Sequence, residues 1–290
     1  MLYLDLTNLE DSDIKYKVSK FPDGQQSITL EKFTFTQRLS SILIKSRLNS
    51  FTDLELIICA NQSLKEFGID DVNLYVPYFL GARSDRKFVE GSVNYLKNVI
   101  CPIINSQKFN KVIVLDPHSD VLEACLDNYV KLNNFELVKF ALSYIGGEIA
   151  LVSPDAGAYK KIFDVAKEFD IPKIITATKV RDIKTGTILH TEIPTLDQHT
   201  DISYVIIDDI CDGGRTFVEL AKAMKDSRPT AKIYLCVTHG IFSAGFGELN
   251  KYFDGIFTTN SVKGIGDVEA DTAGTLHKTN VKQLNVFLKK

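Results

Sequence analysis

No pair of cysteines in this 290-residue chain has the Cys-x-x-Cys spacing. The five cysteines, at 59, 101, 125, 211 and 236, are odd in number and scattered. That argues against a disulfide framework or a zinc site and for reduced thiols in a cytoplasm. Lysine and arginine form no block, and the formal net charge is only -3, so bulk electrostatics gives no reason to expect nucleic-acid or membrane binding. No apolar run approaches the roughly 20 residues that span a bilayer. The first residues carry Asp5 and no basic region, which is not the pattern of a secretory signal peptide. Low-complexity segments, proline-rich linkers and a convincing internal repeat are also missing. What is present is ordinary for a soluble globular chain: 44% hydrophobic and 24% charged residues, and length for one large domain or two medium ones.

Short apolar or β-branched runs alternate with segments of helical length. Strands are expected at 54–60, 73–77, 111–116, 148–152, 173–178, 204–208, 232–238 and 255–259, with amphipathic helices at 93–100, 158–169 and 217–225. Such alternation predicts an α/β fold with mainly parallel sheets covered by helices. The glycine and asparagine signals around 130–148 predict two domains, 1–140 and 141–290, each of ordinary size. Polar or glycine-rich loops follow several strands, where open α/β sheets hold their ligands.

The stretch Val205-Ile206-Ile207-Asp208-Asp209-Ile210-Cys211-Asp212-Gly213-Gly214-Arg215-Thr216 carries the most chemistry. An apolar run ends in two carboxylates, then a glycine-rich loop, then a helix pattern. Asp208 and Asp209 suit vicinal ribose hydroxyls. The backbone amides of Asp212, Gly213, Gly214, Arg215 and Thr216 suit a 5-phosphate, helped by the helix N-terminus. A plain structural reading also fits, because Thr216 and Glu219 have the spacing of a capping box for a helix over 217–225. Two adjacent carboxylates that repel each other are harder to account for structurally.

Other segments each admit two readings. Arg83, Asp85 and Arg86 follow a strand and suit polyphosphate, or form a solvated turn. His118, within Asp116-Pro117-His118-Ser119, is a metal-ligand candidate or a structural histidine. Asp155, within Val152-Ser153-Pro154-Asp155-Ala156-Gly157, is a Mg²⁺ ligand or an Asx-type cap, and the amides of 156–158 could face a diphosphate. Lys179 and Arg181 share one face of an extended segment, suited to charge on a transferring phosphoryl group or to a basic hairpin rim. Phe21, beside a turn, suits stacking on a base or packing. His239 reads as structural, and no residue stands out as a general base.

Together and in this order, the segments resemble the ribose-phosphate pyrophosphokinase family. Phe21-Pro22-Asp23-Gly24-Gln25 resembles its Phe-Ser-Asp-Gly-Glu. The run from Val76 to Arg86 resembles Pro-Tyr-x-x-x-Ala-Arg-Gln-Asp-Arg. Asp116-Pro117-His118-Ser119 resembles Asp-Leu-His-Ala, and 152–157 resembles Val-Ser-Pro-Asp-x-Gly-Gly. Lys179-Val180-Arg181 resembles the Lys-Arg-Arg of the catalytic flexible loop. Asp208 to Thr216 is similar to Asp-Asp-x-x-Asp-Thr-Gly-Gly-Thr, and 238–243 to Thr-His-Pro-Ile-Phe-Ser. The likeness covers about residues 20–260.

The resemblance implies two tandem phosphoribosyltransferase-like domains, each a mainly parallel sheet flanked by helices. It implies transfer of the β,γ-diphosphoryl group of ATP to the C1 hydroxyl of ribose 5-phosphate, giving AMP and phosphoribosyl diphosphate for nucleotide and NAD biosynthesis. By the same carry-over Lys179 and Arg181 are catalytic, and the 208–216 residues named above hold ribose 5-phosphate. Phe21, Asp23, Gln25, Arg83, Ser84 and Asp85 contact ATP, and His118 and Asp155 bind Mg²⁺. The expected assembly is a cytoplasmic homo-oligomer built on dimers, up to a hexamer, with ATP sites near subunit interfaces. Departures are Gln25 for Glu, Ser84 for Gln, Ala158 for the second Gly, and Arg215 for a Gly in the phosphate loop. A phosphoribosyltransferase that consumes the product, and a catalytically silent sugar-phosphate-binding subunit, stand as alternatives.

Overall fold

The computed structural model describes residues 1–32, 41–181, 188–194, 196, 201–267 and 280–288, with backbone only at 179–181 and 188–191. The chain divides into two compact units, Met1–Asn133 with Asn285–Lys290, and Asn134–Leu284.

In the first unit, β1 (Leu2–Asp5), β4 (Ile42–Lys45), β5 (Val72–Tyr75), β6 (Lys111–Leu115) and β7 (Tyr129–Leu132) form a five-stranded sheet in that spatial order, parallel throughout. Between β1 and β4 in the chain, β2 (Tyr16–Lys20) and β3 (Gln26–Leu30) make an antiparallel hairpin. Helices α1 (Phe51–Glu66), α2 (Cys101–Ser106) and α3 (Val121–Cys125) complete the unit. A π-turn over Leu96–Ile100 leads into α2, inside the segment expected to be an amphipathic helix.

The strand expected at 54–60 is instead the middle of α1. The Ser50 hydroxyl accepts from the Asp53 amide while the Asp53 carboxylate accepts from the Ser50 amide, a complete capping box that fixes the helix start. Leu54, Ile57, Asn61 and Leu64 then recur at helical spacing and are buried. Each buried Leu or Ile stabilises by roughly 1.5–3 kcal/mol, which outweighs the local β preference of the apolar run.

The second unit contains α4 (Phe135–Leu142), β8 (Glu148–Ser153), α5 (Tyr159–Glu168), β9 (Ile174–Thr176), β10 (Thr178–Arg181), β11 (Ile188–Glu192), β12 (Ile202–Cys211), α6 (Arg215–Ser227), β13 (Lys232–Gly240), β14 (Gly255–Thr259) and β15 (Val281–Leu284). Six strands form a parallel sheet in the order β15-β14-β13-β12-β8-β9, and β10 and β11 form a separate antiparallel ribbon. Alternation along the strands supplies two cores. Val205 and Ile207 pack with α4 and α5, whereas Tyr204 and Ile206 pack with α6.

The α/β class expected from the alternation is therefore present twice, as parallel sheets of five and six strands flanked by helices. None of the five cysteines is in a disulfide.

Strand order locates the crevice. From β8 the chain moves outward to β9, while β12 begins beside β8 on its other side and continues to β13, β14 and β15. The order thus reverses between β8 and β12, the kind of switch point where parallel sheets open for a ligand. In the first unit the order β1-β4-β5-β6-β7 runs in one direction only.

Candidate active site

The pairing of β8 with β12 stops at Val152 and Ile206, while β12 continues beside β13 as far as Cys211. The carboxyl end of β12 thus projects past β8 at the switch point. Asp208 and Asp209 lie on this projecting piece. Alternation with Ile206 puts Asp208 on the α6 face, and alternation with Ile207 puts Asp209 on the α5 face. Asp208 is half-buried and its Oδ1 accepts from the Asp209 amide at 2.9 Å. Burial, followed by the adjacent Asp209 carboxylate, raises the Asp208 carboxyl well above the usual range.

Asp209 is buried, and its Oδ1 lies 3.5 Å from Nζ of Lys161 in the first turn of α5. Sequence reasoning missed Lys161. The available signal was its place, with Ile162, Val165, Ala166 and Phe169, on the otherwise apolar stripe of α5.

The loop after β12 turns through Gly214 at φ +78°, a left-handed conformation that favours glycine, and a Cβ there would meet Leu249 at 3.1 Å. Helix α6 starts at Arg215 with Gly214 as its N-cap and no capping side chain. This corrects the expected capping box: Thr216 sits inside the first turn, because the glycine, not the threonine, breaks from the strand. An N-terminus without a side-chain cap directs backbone amides and the positive end of the helix dipole toward an anion.

The turn after β13 holds this loop. Ile241 and Phe242 donate their amides to the Cys211 carbonyl at 2.8 and 3.2 Å, and Ser243 donates its hydroxyl to Asp212 Oδ1 at 2.6 Å. Ser243 also escaped sequence reasoning. His239 is buried against Ser261, with Nδ1 2.9 Å from Oγ. Burial and the nearby Asp208 and Asp212 carboxylates push the Cys211 thiol up, so it is poorly suited to act as a nucleophile. Arg215 is exposed and lies along the helix, with Nε 2.7 Å from Glu219 Oε1.

Beyond β8, Asp155 Oδ1 accepts from the amides of Gly157 and Ala158 at 3.0 and 3.1 Å, while Ser153 donates to the Asp155 carbonyl at 2.7 Å. An Asx turn is therefore formed and those two amides face Asp155, but α5 has Ala158 as its N-cap with no side-chain cap, so Asp155 does not cap the helix.

Lys179 and Arg181 belong to β10, whose pairing skips one residue of β11 between Val180 and Arg181; their side chains lie outside the described part of the structure.

In the first unit, Phe21, Asp23 and Gln25 are exposed on the turn of the β2–β3 hairpin. Phe21 donates its amide to the Gln25 carbonyl at 2.9 Å, and Asp23 Oδ1 accepts from the Gln25 amide at 3.2 Å. Arg83, Ser84 and Asp85 follow the carboxyl end of β5, with Arg83 exposed. The Ser84 amide donates to the Gly81 carbonyl at 2.8 Å, and the Asp85 carbonyl accepts from Asn94 Nδ2 at 2.6 Å. His118 is exposed after β6, two residues beyond a buried Asp116 at φ +42°.

The second unit thus gathers Asp208, Asp209, Asp155 and the 212–216 loop at one switch point, while the hairpin turn, 83–85 and His118 belong to the first. Among the described residues no group of three or more His, Cys, Asp or Glu forms a metal cluster. Mg²⁺ is commonly held by one or two carboxylates with water and phosphate oxygens completing its shell. A single carboxylate such as Asp155 is compatible with that habit.

No protein-family model matches the chain. The ribose-phosphate pyrophosphokinase of Marinomonas sp. (strain MWYL1) is 28% identical over 254 residues, covering 84% of this chain and 78% of that protein. The enzyme of that name from Mycoplasma genitalium is 26% identical over 266 residues, 88% and 77% of the two chains. Ribose-phosphate pyrophosphokinase A of Dictyostelium discoideum is 24% identical over 238 residues, 79% and 71%. A crystal structure of phosphoribosylpyrophosphate synthetase from Mycobacterium smegmatis aligns over 96% of this chain and 88% of its own, with a TM-score of 0.75 at 14% identity. That likeness concerns the fold.

Proposed function

Because the chain belongs to the ribose-phosphate pyrophosphokinase family, we propose that it transfers the β,γ-diphosphoryl group of ATP to the C1 hydroxyl of ribose 5-phosphate. The observation that carries this reading is the β8/β12 switch point, where paired carboxylates precede a left-handed glycine and a helix N-terminus without a side-chain cap. The carboxylates of Asp208 and Asp209 accept from the vicinal ribose hydroxyls. The amides of Asp212, Gly213, Gly214, Arg215 and Thr216 take the 5-phosphate.

With the sugar fixed at both ends, its C1 oxygen bonds to the β-phosphorus of ATP as the bridge to the α-phosphate breaks; AMP leaves with the bridging oxygen, and the hydroxyl proton is released to water. Such transfer depends on positioning and charge neutralisation, with little covalent work for the protein. Lys179 and Arg181 supply positive charge over the reacting phosphates. Phe21, Asp23, Gln25, Arg83, Ser84 and Asp85 hold ATP, with Phe21 and Asp23 reaching a neighbouring subunit's nucleotide in a homo-oligomer. His118 and Asp155 would hold Mg²⁺, which neutralises phosphate charge when bound.

The test is AMP formation from ATP and Mg²⁺ with and without ribose 5-phosphate. AMP that appears only with the sugar, matched by phosphoribosyl diphosphate, is the expected result. ADP in place of AMP overturns the proposal. Sugar binding without turnover would leave a silent sugar-phosphate-binding subunit.

A further inference from the structure

We infer that Lys161 is a positioning residue of the sugar site: its ammonium partly neutralises the Asp208–Asp209 pair and ties the first turn of α5 to the end of β12. The inference rests on the sugar-phosphate reading of that site.

Lysine side chains usually carry their charge to water, and the neighbouring Lys160 and Lys167 of the same helix are exposed. Lys161 departs from that habit. Its Nζ is enclosed and lies 3.5 Å from Asp209 Oδ1. A buried charge is retained only where it meets another, and here it meets Asp209, while its field also reaches Asp208. Asp209 faces α5 and Lys161 directly, while Asp208 faces α6 one residue away.

The groups around Asp208 set its charge state. Burial and then Asp209 raise its carboxyl, and Lys161 is the cation that opposes the rise. From its own strand and loop come Cys211 and Asp212. From β13 comes His239, level with Ile210 and bonded to Ser261. From the loop after β8 comes Asp155, engaged by its own turn.

A sugar hydroxyl donates best to an ionised carboxylate. Lys161 therefore shifts Asp208 toward its acceptor form, against the rise from burial and Asp209. Since Lys161 begins six residues after Asp155, it also links the loop after β8 to the acids after β12.

The experiment is calorimetric binding of ribose 5-phosphate between pH 5.5 and 9 to the full chain, to Lys161→Met and to Lys161→Arg. The sugar's own phosphate titrates identically in all three. Lys161→Met is expected to bind at least tenfold more weakly at pH 6.5, with the gap narrowing by pH 9, because Asp208 then keeps its proton to higher pH. Lys161→Arg should return the pH midpoint toward that of the wild type. Weakening by the same factor at every pH, or none, overturns the inference and leaves a structural lysine.

If Lys161→Met does not fold, Lys161→Gln removes the charge while keeping a polar head at the α5 contact. Its midpoint should lie above that of the wild type, and an unchanged midpoint overturns the inference. Failure of the wild type to bind the sugar at any pH would instead defeat the underlying sugar-site reading.

Discussion

Ser243 Oγ donates a 2.6 Å hydrogen bond to Asp212 Oδ1, so the turn after β13 pins the loop after β12. The acceptor is a carboxylate, which makes the bond stronger than a neutral one, and its partial exposure to water reduces the net effect to about 1 kcal/mol. Ser243→Ala should weaken ribose 5-phosphate binding by roughly fivefold to tenfold while leaving ATP affinity unchanged. Titration calorimetry with each ligand separates the two, and unchanged sugar affinity would show that the loop holds its shape without Ser243.

The same turn depends on Gly240. A Cβ at that position would fall inside the ring of Phe242, whose own backbone already sits at φ +45° and whose ring packs 4.7 Å from that of Phe246. Relief requires moving Phe242, and Ser243 moves with it. Gly240→Ala should lower stability by about 2–3 kcal/mol, roughly 5–10 °C in melting temperature, and should weaken sugar binding at least as much as Ser243→Ala. A thermal melt within a degree of the wild type would contradict this packing argument.

Much of the second sheet was legible because its strands are continuous apolar runs, as strands buried on both faces must be. Val205 to Ile207 is one such run, and the glycines at 213 and 214 marked the loop beyond it, although β12 continues through both acids to Cys211 before that loop begins. The run 54–60 was ambiguous because seven apolar-rich residues suit a buried strand or a buried helix. Ser50 and Asp53 held the deciding signal. The β2–β3 hairpin was harder still. From Lys17 to Lys20 the first strand is exposed on both faces, so no apolar alternation marks it. At the site, Thr216 and Glu219 imitate a capping box, and only the left-handed backbone at Gly214 shows where α6 begins. The Lys161–Asp209 and Ser243–Asp212 contacts join residues 48 and 31 positions apart, counted as 209 less 161 and 243 less 212. No local pattern encodes such a contact.

Lys179 and Arg181 carry the proposed role of charge over the reacting phosphates, separate from the sugar site. If they act in that step alone, Lys179→Ala and Arg181→Ala should each cut kcat by at least about 100-fold, an effect of roughly 2.7 kcal/mol on the barrier. The affinity for ribose 5-phosphate should change less than about threefold, under roughly 0.7 kcal/mol. Turnover near that of the wild type would remove both residues from the catalytic assignment. Equal losses in turnover and sugar affinity would move them to substrate binding.

Asp208 links function to stability with a definite sign. Its carboxyl is raised in the folded chain, first by burial and then by Asp209, so the folded state holds that proton more tightly than the unfolded state, whose value is about 3.9. Between the unfolded and folded values the native chain binds more protons, and stability contributed by this group falls as pH rises through that window. Below about pH 3.5 the group is protonated in both states and adds nothing to the pH dependence. Asp208→Asn carries no charge to bury, so its melting temperature should exceed that of the wild type by a margin that grows from pH 4 to pH 7. Taking the difference between the two proteins at each pH cancels the titration of every other group to first order. The same substitution should abolish tight ribose 5-phosphate binding, since an amide cannot replace a carboxylate as acceptor for two hydroxyls. A variant no more stable than the wild type at pH 7 would mean that Asp208 is solvated as an ordinary surface acid and that neither burial nor Asp209 raises its carboxyl.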